Sequence, residues 1–228
     1  TPPVIDGMYE SLWDSARYST IEAYYGGTIY DSLDFSARWK AMWDTSNIYF
    51  FVEVTDDTLY NYGAEAVKFW IHDCVEIFFD LLNDKDEVET GTSDKDDNYQ
   101  YRFIWNLDDE PIVENPPAEG IENVSFSRLA GEETLGYNME VKIPWATLIG
   151  LHPFGDVIVG RSVGLEFKIA DLDAASVPDA VWWPDAELCW NNDTRDGLKA
   201  SSNFGTIVLV NDLLPDETPP AAIDDLAG

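Results

Sequence analysis

Apolar and polar residues alternate along much of this chain with a period of two. From Phe35 to Asp44, Ala37, Trp39, Ala41 and Trp43 share one parity, with Ser36, Arg38, Lys40 and Met42 on the other. That pattern turns one face of an extended segment to a core. After the Thr45-Ser46-Asn47 turn, the β-prone run Ile48 to Val54 continues it, so the two segments predict a hairpin. Further runs at Asn98 to Trp105, Val124 to Leu129, Leu135 to Ile143, Val163 to Ala170 and Phe204 to Val210 are separated by Gly, Pro, Asn and Asp clusters. This predicts an all-β fold, an antiparallel β-sandwich of jelly-roll type. Pro144 followed by W-A-T-L-I-G predicts one short helical turn, because Pro suits a first helical position and Gly a stop. No internal repeat is present.

Trp70 to Asp80, W-I-H-D-C-V-E-I-F-F-D, departs from a plain core strand. Val75, Ile77 and Phe79 share one face, and Cys74, Glu76, Phe78 and Asp80 the other. A glutamate there is either an exposed residue on a wet face or a functional group.

A chain of 228 residues with 45% hydrophobic and 14% aromatic content can bury a full core. Residues 1–213 predict one domain. Residues 214–228, rich in Pro, Ala and acid, predict a linker to a following module, and resemble the opening strand of a fibronectin type III domain. The net charge of −31 disfavours nucleic acid and anionic membranes, and suits cation binding or salty surroundings. No apolar run reaches the length of a membrane span, so no membrane insertion is expected. The opening T-P-P-V-I-D-G lacks a signal-peptide pattern, as expected of a mature protein, an excised module or a cytosolic one.

Enzymatic signatures are thin. His72 and His152 belong to no metal-binding spacing, and no nucleophile-elbow, Walker or Rossmann motif occurs. Paired carboxylates, which glycoside hydrolysis needs, arise by chance among 44 acids. The nine tryptophans are a better clue. Exposed rings beside carboxylate, amide and guanidinium groups are what a sugar requires, since a pyranose offers C–H faces to stack and hydroxyls to bond. Glu76 with Gln100 and Arg102, which share a face of Y-Q-Y-R, offers those groups; a Glu76–Arg102 cross-strand ion pair is the plainer alternative. Cys74 and Cys189 are either two buried thiols or one disulfide between neighbouring strands. Asp80, Asn83, Asp84, Asp86, Asp94, Asp96 and Asp97 form either a solvated acidic loop or a set of hard oxygen ligands for calcium.

Together, P-V-I-D-G with Trp13, M-W-D-T-S-N-I-Y-F-F-V-E-V-T-D-D, W-I-H-D-C-V-E-I-F-F-D, D-D-N-Y-Q-Y-R, Y-N-M-E-V-K-I-P-W-A-T-L, V-G-L-E-F-K-I-A-D-L-D and N-F-G-T-I-V-L resemble the family 9 carbohydrate-binding modules and their DOMON-like relatives, over nearly all of residues 2–210. The resemblance implies a secreted or cell-surface, non-catalytic module that holds a polysaccharide or oligosaccharide between two tryptophans, with structural calcium and covalently linked neighbouring modules. By position, Trp70 is the first aromatic wall, and Glu76, Gln100 and Arg102 the polar groups. Family spacing puts the second wall at Leu198 and the site Asn at Arg195, a departure that leaves Trp183 or Trp182 as the second wall and Trp190 as core. The likeness matches Asp96 and Asp97 to acidic residues of the family's corresponding loop, so that with Asp80 and Asp84 of the same cluster they are the expected calcium ligands, and it places Cys74 and Cys189 near the site, where a disulfide would brace it. The alternative is a structural or interaction module with a degenerate sugar site. Haem electron transfer, known in DOMON relatives, lacks a convincing Met or His pair here.

Overall fold

The computed structural model describes residues 1–60, 71–85, 98–109, 111–113, 118–130, 133–149, 156–173, 183–192 and 200–211. In chain order the strands are β1 (Ser19–Ile21), β2 (Ala23–Gly27), β3 (Phe35–Trp43), β4 (Asn47–Asp56), β5 (Cys74–Asp80), β6 (Asn98–Ile104), β7 (Ile112–Val113), β8 (Glu122–Ala130), β9 (Glu133–Pro144), β10 (Ser162–Asp171), β11 (Ala186–Cys189) and β12 (Gly205–Val208). Among the described residues one α-helix, α1 (Trp145–Ile149), follows Pro144 as expected. No helix among the described residues is long and apolar enough to cross a membrane.

The strands form two antiparallel sheets, the sandwich that the alternation implied. Sheet 1 runs β1-β3-β4-β9-β8, and sheet 2 runs β2-β11-β10-β5-β6-β7 with β12 also on β10. β11 pairs Lys168 to Asp171 and β12 pairs Ser162 to Leu165, so both lie along one edge of β10, at its two ends. The inner faces carry Ala37, Trp39, Phe50, Val52, Val54, Met139 and Val141 from sheet 1, and Val75, Ile77, Phe79, Tyr101, Phe103, Leu165, Phe167 and Ile169 from sheet 2. Trp39 meets Phe167 at 4.7 Å and Phe50 meets Phe79 at 6.1 Å, contacts that join the sheets. The N-terminal segment is fastened to sheet 1 by Glu140, whose buried carboxylate accepts from Trp13 Nε1 at 2.7 Å and from the N–H groups of Asp6 and Gly7 at 2.9 Å.

The expected disulfide is corrected. Both cysteines are buried free thiols. Cys74 lies opposite Ala170 on one side of β10, and Cys189 opposite Lys168 on the other. Two strand spacings, about 9–10 Å, plus a two-residue offset separate them. That exceeds the roughly 4.4–6.8 Å between α-carbons that a disulfide tolerates. Burial pushes the Cys74 thiol up to about 12, and also raises Cys189, so both are held as neutral thiols.

Candidate functional site

The outer face of sheet 2 carries charge where a sandwich face facing solvent would need none buried. Glu76 on β5 lies opposite Arg102 on β6 and opposite Lys168 on β10, so three charged side chains form one row across three strands. Arg102 Nη2 sits 2.8 Å from Glu76 Oε2, and Gln100 Nε2 donates to the same oxygen at 2.6 Å. Lys168 Nζ lies 2.8 Å from Glu76 Oε1 and donates to Glu187 Oε1 of β11 at 2.9 Å. The row thus runs Gln100 and Arg102, Glu76, Lys168, Glu187, two cations against two carboxylates.

Burial alone would raise the Glu76 carboxyl, but Arg102 and Lys168 outweigh it and hold the group down at about 2. Lys168 shows the converse: burial lowers it, and Glu76 and Glu187 more than reverse that. Glu76 and Lys168 are therefore both charged at neutral pH. The side chains of the row are nearly enclosed, 6% exposed for Arg102 and 1% for Glu76, while Gln100 is half-buried. Beside the row, Phe78 packs on Phe204 at 5.9 Å, and Lys168 Nζ stands 5.8 Å from the Tyr25 ring. Directional donors and acceptors next to rings can bond hydroxyls and shield C–H faces.

The structure thus brings together Glu76, Gln100 and Arg102 as expected by position. Trp70, Trp182, Asp96 and Asp97 lie outside the described residues. Trp183 is 55% exposed and stands just before β11. There Asp185 N–H bonds Asp171 O, three residues of β10 beyond Lys168. Sequence reasoning missed Lys168, Glu187 and Tyr25. The signal for Lys168 was present: V-G-L-E-F-K-I-A-D sets Glu166 and Lys168 on alternate positions of an apolar strand, the same anomaly that marked Glu76.

Oxygen ligands gather at the end of the sandwich. Asp56 ends the inner parity of β4, Asp171 that of β10, and Asp73 precedes that of β5. Their carboxylate oxygens lie within 4.8 Å of one another, and all three residues are buried. Asp73 accepts from the N–H groups of Tyr60 and Leu172, and Asp56 Oδ1 accepts from Thr58 N–H at 2.8 Å. Among the described residues, the buried Asp56 Oδ2, Asp171 Oδ1 and Tyr137 hydroxyl find no hydrogen-bond partner. Burial and then mutual repulsion push Asp56 up to about 7 and Asp171 to about 9, and Asp73 well above the carboxylate range. Such a set must either take up protons or receive a cation, and its hard oxygens, once ionised, are of the kind calcium takes. Asp34, Asp57 and Asp173 form a second, more exposed group of the same kind. Asp80 is used locally: its carboxylate accepts from the N–H groups of Asp84 at 3.3 Å and Lys85 at 3.1 Å, closing the turn after β5.

The family described as carbohydrate family 9 binding domain-like matches residues 5–212. Exoglucanase XynX of Acetivibrio thermocellus is 26% identical over 207 residues, 91% of this chain and 16% of that protein. Endo-1,4-beta-xylanase A of Thermoanaerobacterium saccharolyticum is likewise 26% identical, over 91% of this chain and 15% of its own length. The chain therefore spans about a sixth of the length of these relatives. A family 9 carbohydrate-binding module from Caldicellulosiruptor kristjanssonii, solved with cellotriose, has the same fold, with a TM-score of 0.70 at 22% identity and coverage of 96% of this chain and 95% of that one. The same module solved with glucose superposes with a TM-score of 0.69 at 22% identity, over 96% of each chain.

Proposed function

We infer, from the premise that the chain belongs to the carbohydrate family 9 binding domain-like family, that it is a non-catalytic sugar-binding module. One observation carries the reading to a site: Gln100, Arg102, Glu76 and Lys168 converge on the outer face of sheet 2, with aromatic rings beside them. The ligand class we propose is a chain of β-linked glucose or xylose units. The support is the cellotriose and glucose bound by the module of the same fold, and the glucanase and xylanase activities named for the relatives. In this reading Gln100 is the most accessible polar contact, Glu76 and Arg102 form the floor, and Trp70 with Trp182 or Trp183 supplies stacking.

The same proposal includes structural calcium, with Asp56, Asp73 and Asp171 as the group that would hold it, and Asp80 and Asp84 from the acidic loop with Asp96 and Asp97 by family position as further candidates. It also includes a place in a secreted or surface protein whose further modules, a fibronectin type III-like one among them, are joined covalently beyond residue 213. Such a module would act by tethering, raising the effective concentration of its neighbours at a polysaccharide. The wider DOMON-like kinship belongs to this proposal as well.

Calorimetric titration of the calcium-loaded protein with glucose, cellotriose and xylotriose tests the reading. Binding that is lost in Glu76→Gln and weakened in Gln100→Ala is expected. A second reading, a structural module with a degenerate site, rests on the near-complete enclosure of the Arg102–Glu76 pair. It wins if the wild-type protein binds none of these sugars.

A further inference from the structure

The outer face of sheet 1 carries a second carboxylate held by several donors, and this one is open. Glu53 on β4 lies opposite Arg38 on β3, and Arg38 lies opposite Thr20 on β1. Arg38 donates to Glu53 Oε1 from Nε at 3.1 Å and from Nη2 at 2.7 Å. The Tyr18 hydroxyl donates to Glu53 Oε2 at 3.2 Å, and Arg128 Nη1 lies 3.8 Å from Oε1. The arrangement repeats the chemistry of Glu76 on sheet 2, a carboxylate fixed by a guanidinium and a neutral donor. Enclosure separates the two: the Arg38 and Glu53 side chains are 45% and 19% exposed, against 6% and 1% for Arg102 and Glu76.

Strand length explains the opening. β1 covers only Ala37 to Trp39 of β3 before the chain passes at Glu22 to β2 in sheet 2. The N-terminal segment, with Tyr9 and Trp13 on Phe51, covers the neighbouring row of Lys40 and Phe51. Among the described residues they leave a groove of about 300 Å³, lined on its polar side by Thr20, Glu22, Ser36, Arg38, Glu53 and Thr55. Only two of the five N–H groups of Arg38 are committed to Glu53, and each lining hydroxyl carries acceptor lone pairs. Arg38 and Arg128 balance Glu22 and Glu53, which argues against a phosphate or a metal ion and for a neutral ligand rich in hydroxyls. Beyond Glu53 the row continues through Asn138 to Phe126 on β8, 46% exposed, a ring on which a C–H face can lie. Thr20 to Phe126 spans four strand spacings, roughly 19 Å, the length of a short oligosaccharide.

We propose that this groove is a second sugar site, taking one unit of a neutral β-linked glucose or xylose chain at Ser36, Arg38, Glu53 and Thr55, with the chain running along the row toward Phe126. The ligand class rests on the sugar-binding reading; the location does not depend on the sheet 2 row. Arg38 donates to sugar hydroxyls with the N–H groups that Glu53 leaves over, and Glu53 fixes the guanidinium plane. The two rows lie on opposite outer faces of the sandwich, so one module would hold two polysaccharide chains at once and gain avidity on an insoluble surface. An open groove keeps its groups solvated, so its affinity is expected in the millimolar range, weaker than the binding that calorimetry reads.

Heteronuclear NMR titration of the full chain with cellotriose and xylotriose, in saturating calcium, tests the site. The signals read are the Arg38 Nε–H and the amides of Thr20, Ser36 and Thr55 for sheet 1, and the Gln100 side-chain amide for sheet 2. Glu76→Gln is expected to lose the shifts at Gln100 and keep those on sheet 1. Arg38→Ala should weaken the sheet 1 response about tenfold or more, the loss typical of bonds from a charged donor, and leave Gln100 responding. Ser36→Leu fills the groove and leaves the Arg38–Glu53 pair in place; it should do the same, and guards against an Arg38 variant that disturbs packing. Sheet 1 signals that stay still under sugar, while Gln100 moves, overturn the second site and sustain the first. Shifts that survive both sheet 1 substitutions overturn the groove as their origin. Movement on sheet 1 alone upholds the second site and takes the sugar reading off Glu76, whereas silence at both rows sinks the two together.

Discussion

Stripped of divalent cations, the protein should lose stability as pH rises, the opposite of ordinary acid denaturation. Asp56, Asp73 and Asp171 share a buried space in which their ordinary carboxylate values, near 3.8 in the unfolded chain, are raised on folding. A raised value means that the folded state holds protons that the unfolded state has released. The associated stability is fully present below pH 3.8 and is lost as pH climbs through about 7 for Asp56 and about 9 for Asp171. At roughly 1.4 kcal/mol per pH unit, the rise of Asp56 from 3.8 to about 7 alone corresponds to about 4 kcal/mol. Asp171 and Asp73 add to it, less than independently, because each repels the others. For a domain of this size about 4 kcal/mol moves the melting temperature by on the order of 8–16 °C. Calcium needs the carboxylates ionised, so a saturating concentration should remove the decline above pH 6 and give a stabilisation that grows with pH. The assay is thermal and urea unfolding of metal-free and calcium-saturated protein from pH 5 to pH 9. Asp171→Asn should raise the stability of the metal-free protein at pH 8 and abolish most of the calcium gain. A metal-free protein equally stable at pH 5 and pH 9, or one whose calcium gain survives Asp171→Asn intact, would refute the reasoning.

Removing the central charge of the polar row by Glu76→Gln leaves Arg102 and Lys168 without their shared partner. Folding depresses Glu76 from 4.5 to about 2, so its stabilisation is present above pH 4.5 and fades as pH falls through 2; urea denaturation at pH 7 should show a loss of about 3 kcal/mol. Wild-type protein unfolded without reductant should react with about two equivalents of a thiol reagent and the folded protein with almost none, and a single equivalent or fewer after unfolding would contradict two free thiols. Gly205→Ala puts a methyl into the Trp190 ring, so a cost of about 1–3 kcal/mol and a lower melting temperature are expected; a neutral effect would mean that the ring can retreat.

Much of the fold was legible because alternation is a local property. The inner parity of β5 and its outer set of Cys74, Glu76, Phe78 and Asp80 follow from counting by two, as do Gln100 and Arg102 on one face of β6. Pro144 marked α1 for an equally local reason. β1 and β2 escaped: Ser19–Ile21 is three residues long, and Ala23–Gly27 ends in two glycines, too short and too weak in β-propensity to stand out before their partners are known. The exposed carboxylate that alternation allowed at position 76 is enclosed instead, since burial depends on what lies over a face.

The amino-acid order by itself determined which residues could share a face, hence the two-sheet architecture and the residue types on the outer side of sheet 2, because a strand's period of two is set within the strand. Only the tertiary structure decided which of those residues meet. The cysteines share an outer face yet stand on opposite sides of β10, and Asp56 of sheet 1 meets Asp171 of sheet 2 and Asp73, just before β5, at one buried end. Register and sheet order are fixed by packing summed over the whole core, and no local stretch contains that sum.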